Sequence, residues 1–203
     1  MFDTSIRKII NPILGAIARK LSQLGINADL VTWTGFIIGG LAFAAIATGH
    51  PLWGLVLLLA SRLCDGLDGA IASITGKTDL GGFLDIVLDF AFYGMIPLAF
   101  IANDPGNNAI AGGALLLAFY VNGASFLAYG LIAEKRGMVE NARGSKSILY
   151  TAGLAEASET IAVFVLMCLW PQWFPFLAII FAAVIILTTV IRFTLAYREF
   201  GEK

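Results

Sequence analysis

The sequence predicts an all-α protein that crosses a membrane several times, and three observations carry that reading. Of 203 residues, 59% are apolar and only 13% charged, against about 25% charged in a soluble domain. Six apolar stretches, at about 29–48, 51–75, 80–102, 107–133, 147–170 and 173–195, each approach the ~20 residues needed to cross a bilayer. Turn signals separate most of them: "GHP" at 49–51, "TGKTD" at 75–79, "NDPGNN" at 103–108 and "PQWFP" at 171–175. The length suits a single membrane-embedded domain over 1–203, with the six-helix bundle at about 29–199.

The first element, at about 5–24, precedes the bundle. Ile6, Ile9, Ile10, Ile13, Leu14, Ile17 and Leu21 recur at helical spacing, and Arg7, Lys8, Arg19 and Lys20 complete an amphipathic helix suited to a membrane surface. Met1 is followed by a polar, basic stretch, so no cleavable signal peptide is expected. Cys64 and Cys168 lie in apolar stretches and read as buried thiols with no metal or disulfide role.

Basic residues orient the spans. Arg7, Lys8, Arg19 and Lys20 precede span one, Lys77 lies between spans two and three, and Lys135, Arg136, Arg143 and Lys146 lie between spans four and five. Arg198 and Lys203 follow span six, whereas the turns near 50, 105 and 172 have no lysine or arginine. By the positive-inside rule both termini face the cytoplasm. The formal charge of −1 points to no partner class, and no nucleic acid is expected among the partners.

Four aspartates stand out against this apolar background: Asp65 and Asp68 in span two, Asp85 and Asp89 in span three. Intramembrane acids are costly and mark function. Span two enters from outside at Pro51, so Asp65 lies ~21 Å along it and ~9 Å from the cytoplasmic boundary of a ~30 Å core. Span three starts inside near Leu80, which places Asp85 and Asp89 ~7 and ~13 Å deep. Asp65, Asp68 and Ala72 share one helix face, and Gly81, Asp85 and Asp89 share another. Gly69, Ala72 and Gly81 keep those faces small. Four carboxylates at matched depth call for cations, and hard divalent ions, Mg²⁺ or Mn²⁺, suit oxygen ligands.

At these residues the sequence resembles the CDP-alcohol phosphotransferase family, whose signature reads D-x-x-D-G-x-x-A-R, a spacer of about eight, then G-x-x-x-D-x-x-x-D. Asp65, Asp68, Gly69 and Ala72 match the first half, and Gly81, Asp85 and Asp89 the second. Ser73 replaces the arginine thought to hold the substrate's phosphates, with Lys77 as candidate substitute, and the spacer has seven residues. "ADLVT", with Asp29 and Thr32 in the polar positions, resembles a family element read P-[ND]-x-x-T, departing at Ala28. As a bare sequence feature Asp29 reads equally as a helix N-cap.

The resemblance implies transfer of a substituted phosphate from a CDP-linked donor, usually CDP-diacylglycerol, to a polar or lipid alcohol with release of CMP. Asp65, Asp68 and Asp85 would hold one or two ions, and Asp89 would act as general base or help bind the second. Gly69, Ala72, Ser73, Gly81, Asp29 and Thr32 would form the donor side. Arg192 occupies a place where relatives carry a cavity-facing arginine; snorkelling to headgroups is the alternative. Relatives form homodimers, and Gly112 and Gly113 would let span four pack closely against a copy. The expected location is the bacterial inner membrane, with the active site at its cytoplasmic face.

Other charged residues carry open alternatives. In "EKRGMVENARGSK" the basic residues read first as the orientation signal and attraction to anionic lipid; the sharper reading has Arg143 or Lys146 bind a phosphorylated acceptor. Glu156 and Glu159 in span five either pair with Arg62 or line the substrate cavity. A divalent-cation transporter is the non-enzyme rival, disfavoured by the lack of an internal repeat and by acids displaced toward one face. A polyprenyl transferase would carry its two acidic motifs much farther apart, in a longer chain.

Overall fold

The computed structural model describes residues 3–138 and 157–201, with backbone alone for residues 3–11. Among the described residues seven α-helices run in order: α1 (Asp3–Gln23), α2 (Ala28–Ala47), α3 (Pro51–Thr75), α4 (Asp79–Asn103), α5 (Pro105–Lys135), α6 (Ala157–Leu169) and α7 (Phe174–Phe200). A 3₁₀ turn, Pro171–Trp173, leads into α7, and no strand occurs among the described residues.

Local chemistry explains the boundaries. Asn27 caps α2, its side chain accepting from the Leu30 N–H at 2.9 Å, so Asp29 is not the cap. Pro51 occupies the first turn of α3, where its missing N–H costs nothing. The helix stops at Gly76, whose φ of 106° lies where side-chain-bearing residues are strained. Two residues later Thr78 caps α4 by accepting from Gly81 N–H at 3.0 Å. Asp104 caps α5 and also accepts from the Asn107 side chain at 2.7 Å. Those hydrogen bonds hold its carboxyl below the usual carboxylate range. The cap's contribution is therefore present at neutral pH, and is lost as pH falls past the ordinary value and through the lowered one.

Among the described residues four segments are long and apolar enough to cross a membrane: Ala28–Ala47, Asp79–Asn103, Pro105–Lys135 and Pro171–Phe200. Helix α3 is also 25 residues long but carries Arg62, Asp65 and Asp68, and α6 is described over 13 residues. Part of the expected fifth span lies outside the described residues. The chain is a multi-pass membrane protein.

Helix α2 packs along α3 and α4, α5 packs along α7, and α6 rests on α3 and α7. One contact fixes the first group. A Cβ on Gly35 would lie 2.9 Å from Cys64 Cβ, and the buried Ser61 hydroxyl donates to the Gly35 carbonyl at 2.8 Å. Only glycine permits α2 and α3 to approach so closely. The apolar core then forms where the halves meet, from Phe92, Ile96 and Phe100 of α4, Phe164 of α6 and Phe174 of α7. The Phe100 and Phe174 rings stack at 4.7 Å. At the far end Arg136 donates to the Glu199 and Phe200 carbonyls, closing the α7 terminus against α5.

Helix α1 packs along α3. Ala18 is buried with Val31 and Ile71, while Ile13 and Ile17 remain exposed and available to a membrane surface.

Candidate active site

The α3–α4 hairpin carries the site. Residues 76–78 alone connect the helices, so the last turns of α3 and the first turns of α4 lie side by side. Carboxylate oxygens of Asp65, Asp85 and Asp89 come within 4.8 Å of one another. They line a small open cleft whose other walls include Asp68, Arg62 and Ser61 from α3 and Thr32, Gly35 and Phe36 from α2.

Asp68 stands slightly apart from that trio. It is 5% exposed, the Thr32 hydroxyl lies beside it, and its Oδ2 has no hydrogen-bond partner. A buried carboxylate oxygen without a partner is costly, and a hard cation would satisfy it. Three gathered carboxylates plus this unpartnered oxygen form a donor set that fits Mg²⁺ or Mn²⁺.

Arg62 corrects one expectation. Its Nη1 donates to Asp89 Oδ1 at 2.7 Å and lies 3.5 Å from Asp65 Oδ1, and its Cζ sits 3.7 Å above the Phe92 ring. For Glu159, the expected pair with Arg62 is replaced by this bridge. Glu159 instead accepts from the Ser158 hydroxyl at 2.9 Å, and Glu156 lies outside the described residues. The signal for the bridge was available. Counting ~1.5 Å per residue puts Arg62 ~13 Å from the cytoplasmic boundary, level with Asp89 on the facing helix.

The remaining expected residues divide. Thr32 lines the cleft. Asp29 lies beside Gly81, where an added Cβ would come 3.3 Å from Asp29 Oδ1. Gly69 has open space beside it, and Ala72 sits one turn below Asp68 without lining the cleft. Ser73 donates to its own helix at Ala70 O, 2.7 Å away, and is exposed outside the cleft. Arg143 and Lys146 lie outside the described residues.

The described partners of Arg192 lie on α5. Its Nη1 donates to Asn122 O, Asn122 Oδ1 and Ser125 Oγ at 3.0, 2.9 and 2.7 Å, tying α7 to α5. Arg192→Ala should therefore cost about 1–3 kcal/mol of stability, read as a lower melting temperature in detergent. Ser61, Phe36 and Leu88 line the cleft without having been expected there; as single apolar or hydroxyl residues they carried no pattern.

Fold and site together define a polytopic helical membrane protein with a carboxylate-lined cleft between neighbouring helices. The chain is 46% identical over 192 residues to inner membrane protein YnjF of Escherichia coli, covering 95% of this chain and 93% of that protein. It is 32% identical over 167 residues to archaetidylinositol phosphate synthase of Methanothermobacter thermautotrophicus, covering 80% of this chain and 72% of the relative. A phosphatidylinositol phosphate synthase from Mycobacterium tuberculosis, solved with CDP-DAG bound, superposes with a TM-score of 0.67 at 21% identity, over 92% of this chain and 94% of that one. No family model matches the chain. The chain belongs to the CDP-alcohol phosphotransferase family.

Proposed function

We propose that this protein transfers a phosphatidyl-type group from CDP-diacylglycerol, or a closely related CDP-linked lipid, to an alcohol and releases CMP. The observation that carries the reading is the meeting of Asp65, Asp85 and Asp89 oxygens within 4.8 Å in a chain of this family. The solved relative's bound CDP-DAG supports the donor, and the archaeal relatives' names support inositol phosphate as acceptor.

Asp65, Asp68 and Asp85 would hold Mg²⁺ or Mn²⁺. A bound divalent ion supplies charge neutralisation at the diphosphate, the main demand of phosphoryl transfer. The remaining steps belong to the chain's own residues. The open space beside Gly69 leaves room for the diphosphate next to α3, with Thr32 and Asp29 on the α2 side. Asp89, the deepest acid, accepts the acceptor hydroxyl's proton as the new ester bond forms and the phosphate–CMP bond breaks. The Arg62 hydrogen bond fixes the Asp89 carboxylate's direction.

The matching topology has six membrane crossings, with both termini and the open end of the cleft toward the cytoplasm. The name of the Escherichia coli relative supports an inner-membrane location. Acyl chains would then stay in the inner leaflet while cytidine and acceptor arrive from the cytosol.

The test uses the protein in nanodiscs containing CDP-diacylglycerol. CMP release should require Mg²⁺ or Mn²⁺, stop on adding EDTA, and be stimulated by inositol phosphate above glycerol phosphate, serine or choline. Manganese uptake across vesicles without CMP release from any acceptor would turn the reading toward cation carriage.

A further inference from the structure

The reading above leaves open how many ions the carboxylates hold, and Arg62 bears on that number. Its guanidinium is gripped from three sides. Nη1 binds Asp89 Oδ1 at 2.7 Å and approaches Asp65 Oδ1 at 3.5 Å; Nη2 donates to Ser61 Oγ at 3.3 Å; Cζ stacks on Phe92 at 3.7 Å. Ser61 and Phe92 are themselves fully buried, and the arginine side chain is 10% exposed. It cannot swing into solvent without leaving a charge unpaired in the bundle interior.

In two-ion sites the cations lie about 3.5–4 Å apart, close enough for one carboxylate to bind both. Asp65 and Asp89 are the acids placed to be shared, and a guanidinium nitrogen already stands between them. Arg62 and Asp68 flank Asp65 one helical turn to either side. The unpartnered Asp68 Oδ2 therefore marks the cation position on the side of Asp65 away from Arg62. The polar cleft has a fixed organic cation at its deep end and an unsatisfied carboxylate oxygen at its shallow end.

We propose that Arg62 is the built-in second cation of this site, so that the chain takes one divalent ion where its four carboxylates would otherwise take two. The inference rests on the divalent-ion reading above, and the experiment separates their failures.

Mn²⁺ is titrated into the wild-type protein in nanodiscs, free Mn²⁺ is counted by its solution EPR signal, and the bound ion is examined frozen. The wild type should bind one Mn²⁺ per chain with no spin coupling. Arg62→Met should bind two, with the signature of a coupled pair, and Arg62→Lys should remain at one. If the methionine variant does not fold, Arg62→Gln, which keeps an N–H for Asp89 without the charge, should show the same rise to two. Two coupled ions in the wild type, or one ion in a folded neutral variant, would overturn the role of Arg62 while leaving the divalent site standing. A wild type that binds no Mn²⁺ would overturn both.

Discussion

Asp89→Asn should lower CMP release by about 10²–10⁴-fold, the range expected when a general base is removed. Asparagine keeps the side chain's shape, and its carbonyl oxygen can still accept from Arg62 Nη1, so the hairpin should fold. CDP-diacylglycerol binding should change little, because Asp65, Asp68 and Asp85 remain. Donor affinity and turnover are thus expected to separate, and single-turnover measurement at saturating donor reads them independently. Turnover near the wild-type rate would remove Asp89 from the proton-transfer role.

Gly35→Val should have the second large effect, through the backbone instead of the chemistry. A first added carbon already meets Cys64 Cβ at 2.9 Å and the Ser61 carbonyl at 3.4 Å, and neither is the movable tip of a flexible side chain. Two further methyl carbons force α2 away from α3. The expected cost is about 1–3 kcal/mol, with loss of the Ser61–Gly35 hydrogen bond. Because Gly35 and Thr32 form one wall of the cleft, activity should fall more than stability does. Gly40→Val, where an added Cβ meets nothing within 4 Å, is the control and should change little. Equal effects at the two positions would show that the contact does not position the cleft.

Much of this architecture was legible in the sequence because hydropathy and punctuation act locally. Pro51 and the Thr75–Asp79 turn bound α3 where the apolar stretch was drawn, and helical spacing put all four acids toward the hairpin end of the two helices. What spacing does not supply is the rotation of each helix about its own axis. Asp68, at i+3 from Asp65, was expected to join a fourfold cluster; its side chain sits apart from the trio, beside Thr32 of α2. Arg62 was assigned to a glutamate because an unlike charge was sought in another span. The nearer unlike charges were in the motif itself, at equal depth on the facing helix. The Arg192 bonds to Asn122 and Ser125 had no signal either, since neither partner announces itself from 70 and 67 residues away in an apolar run. Long-range polar pairing within helices is where one-dimensional patterns stop.

The three-residue connection between α3 and α4 makes the chemistry portable. All four acids and their arginine ride on one helical hairpin braced by α2, so their mutual geometry is decided before α5–α7 contribute anything. Changes in the later helices can reshape what enters the cleft while the carboxylates stay in register. A scaffold built this way can diversify its customers without rewriting its engine.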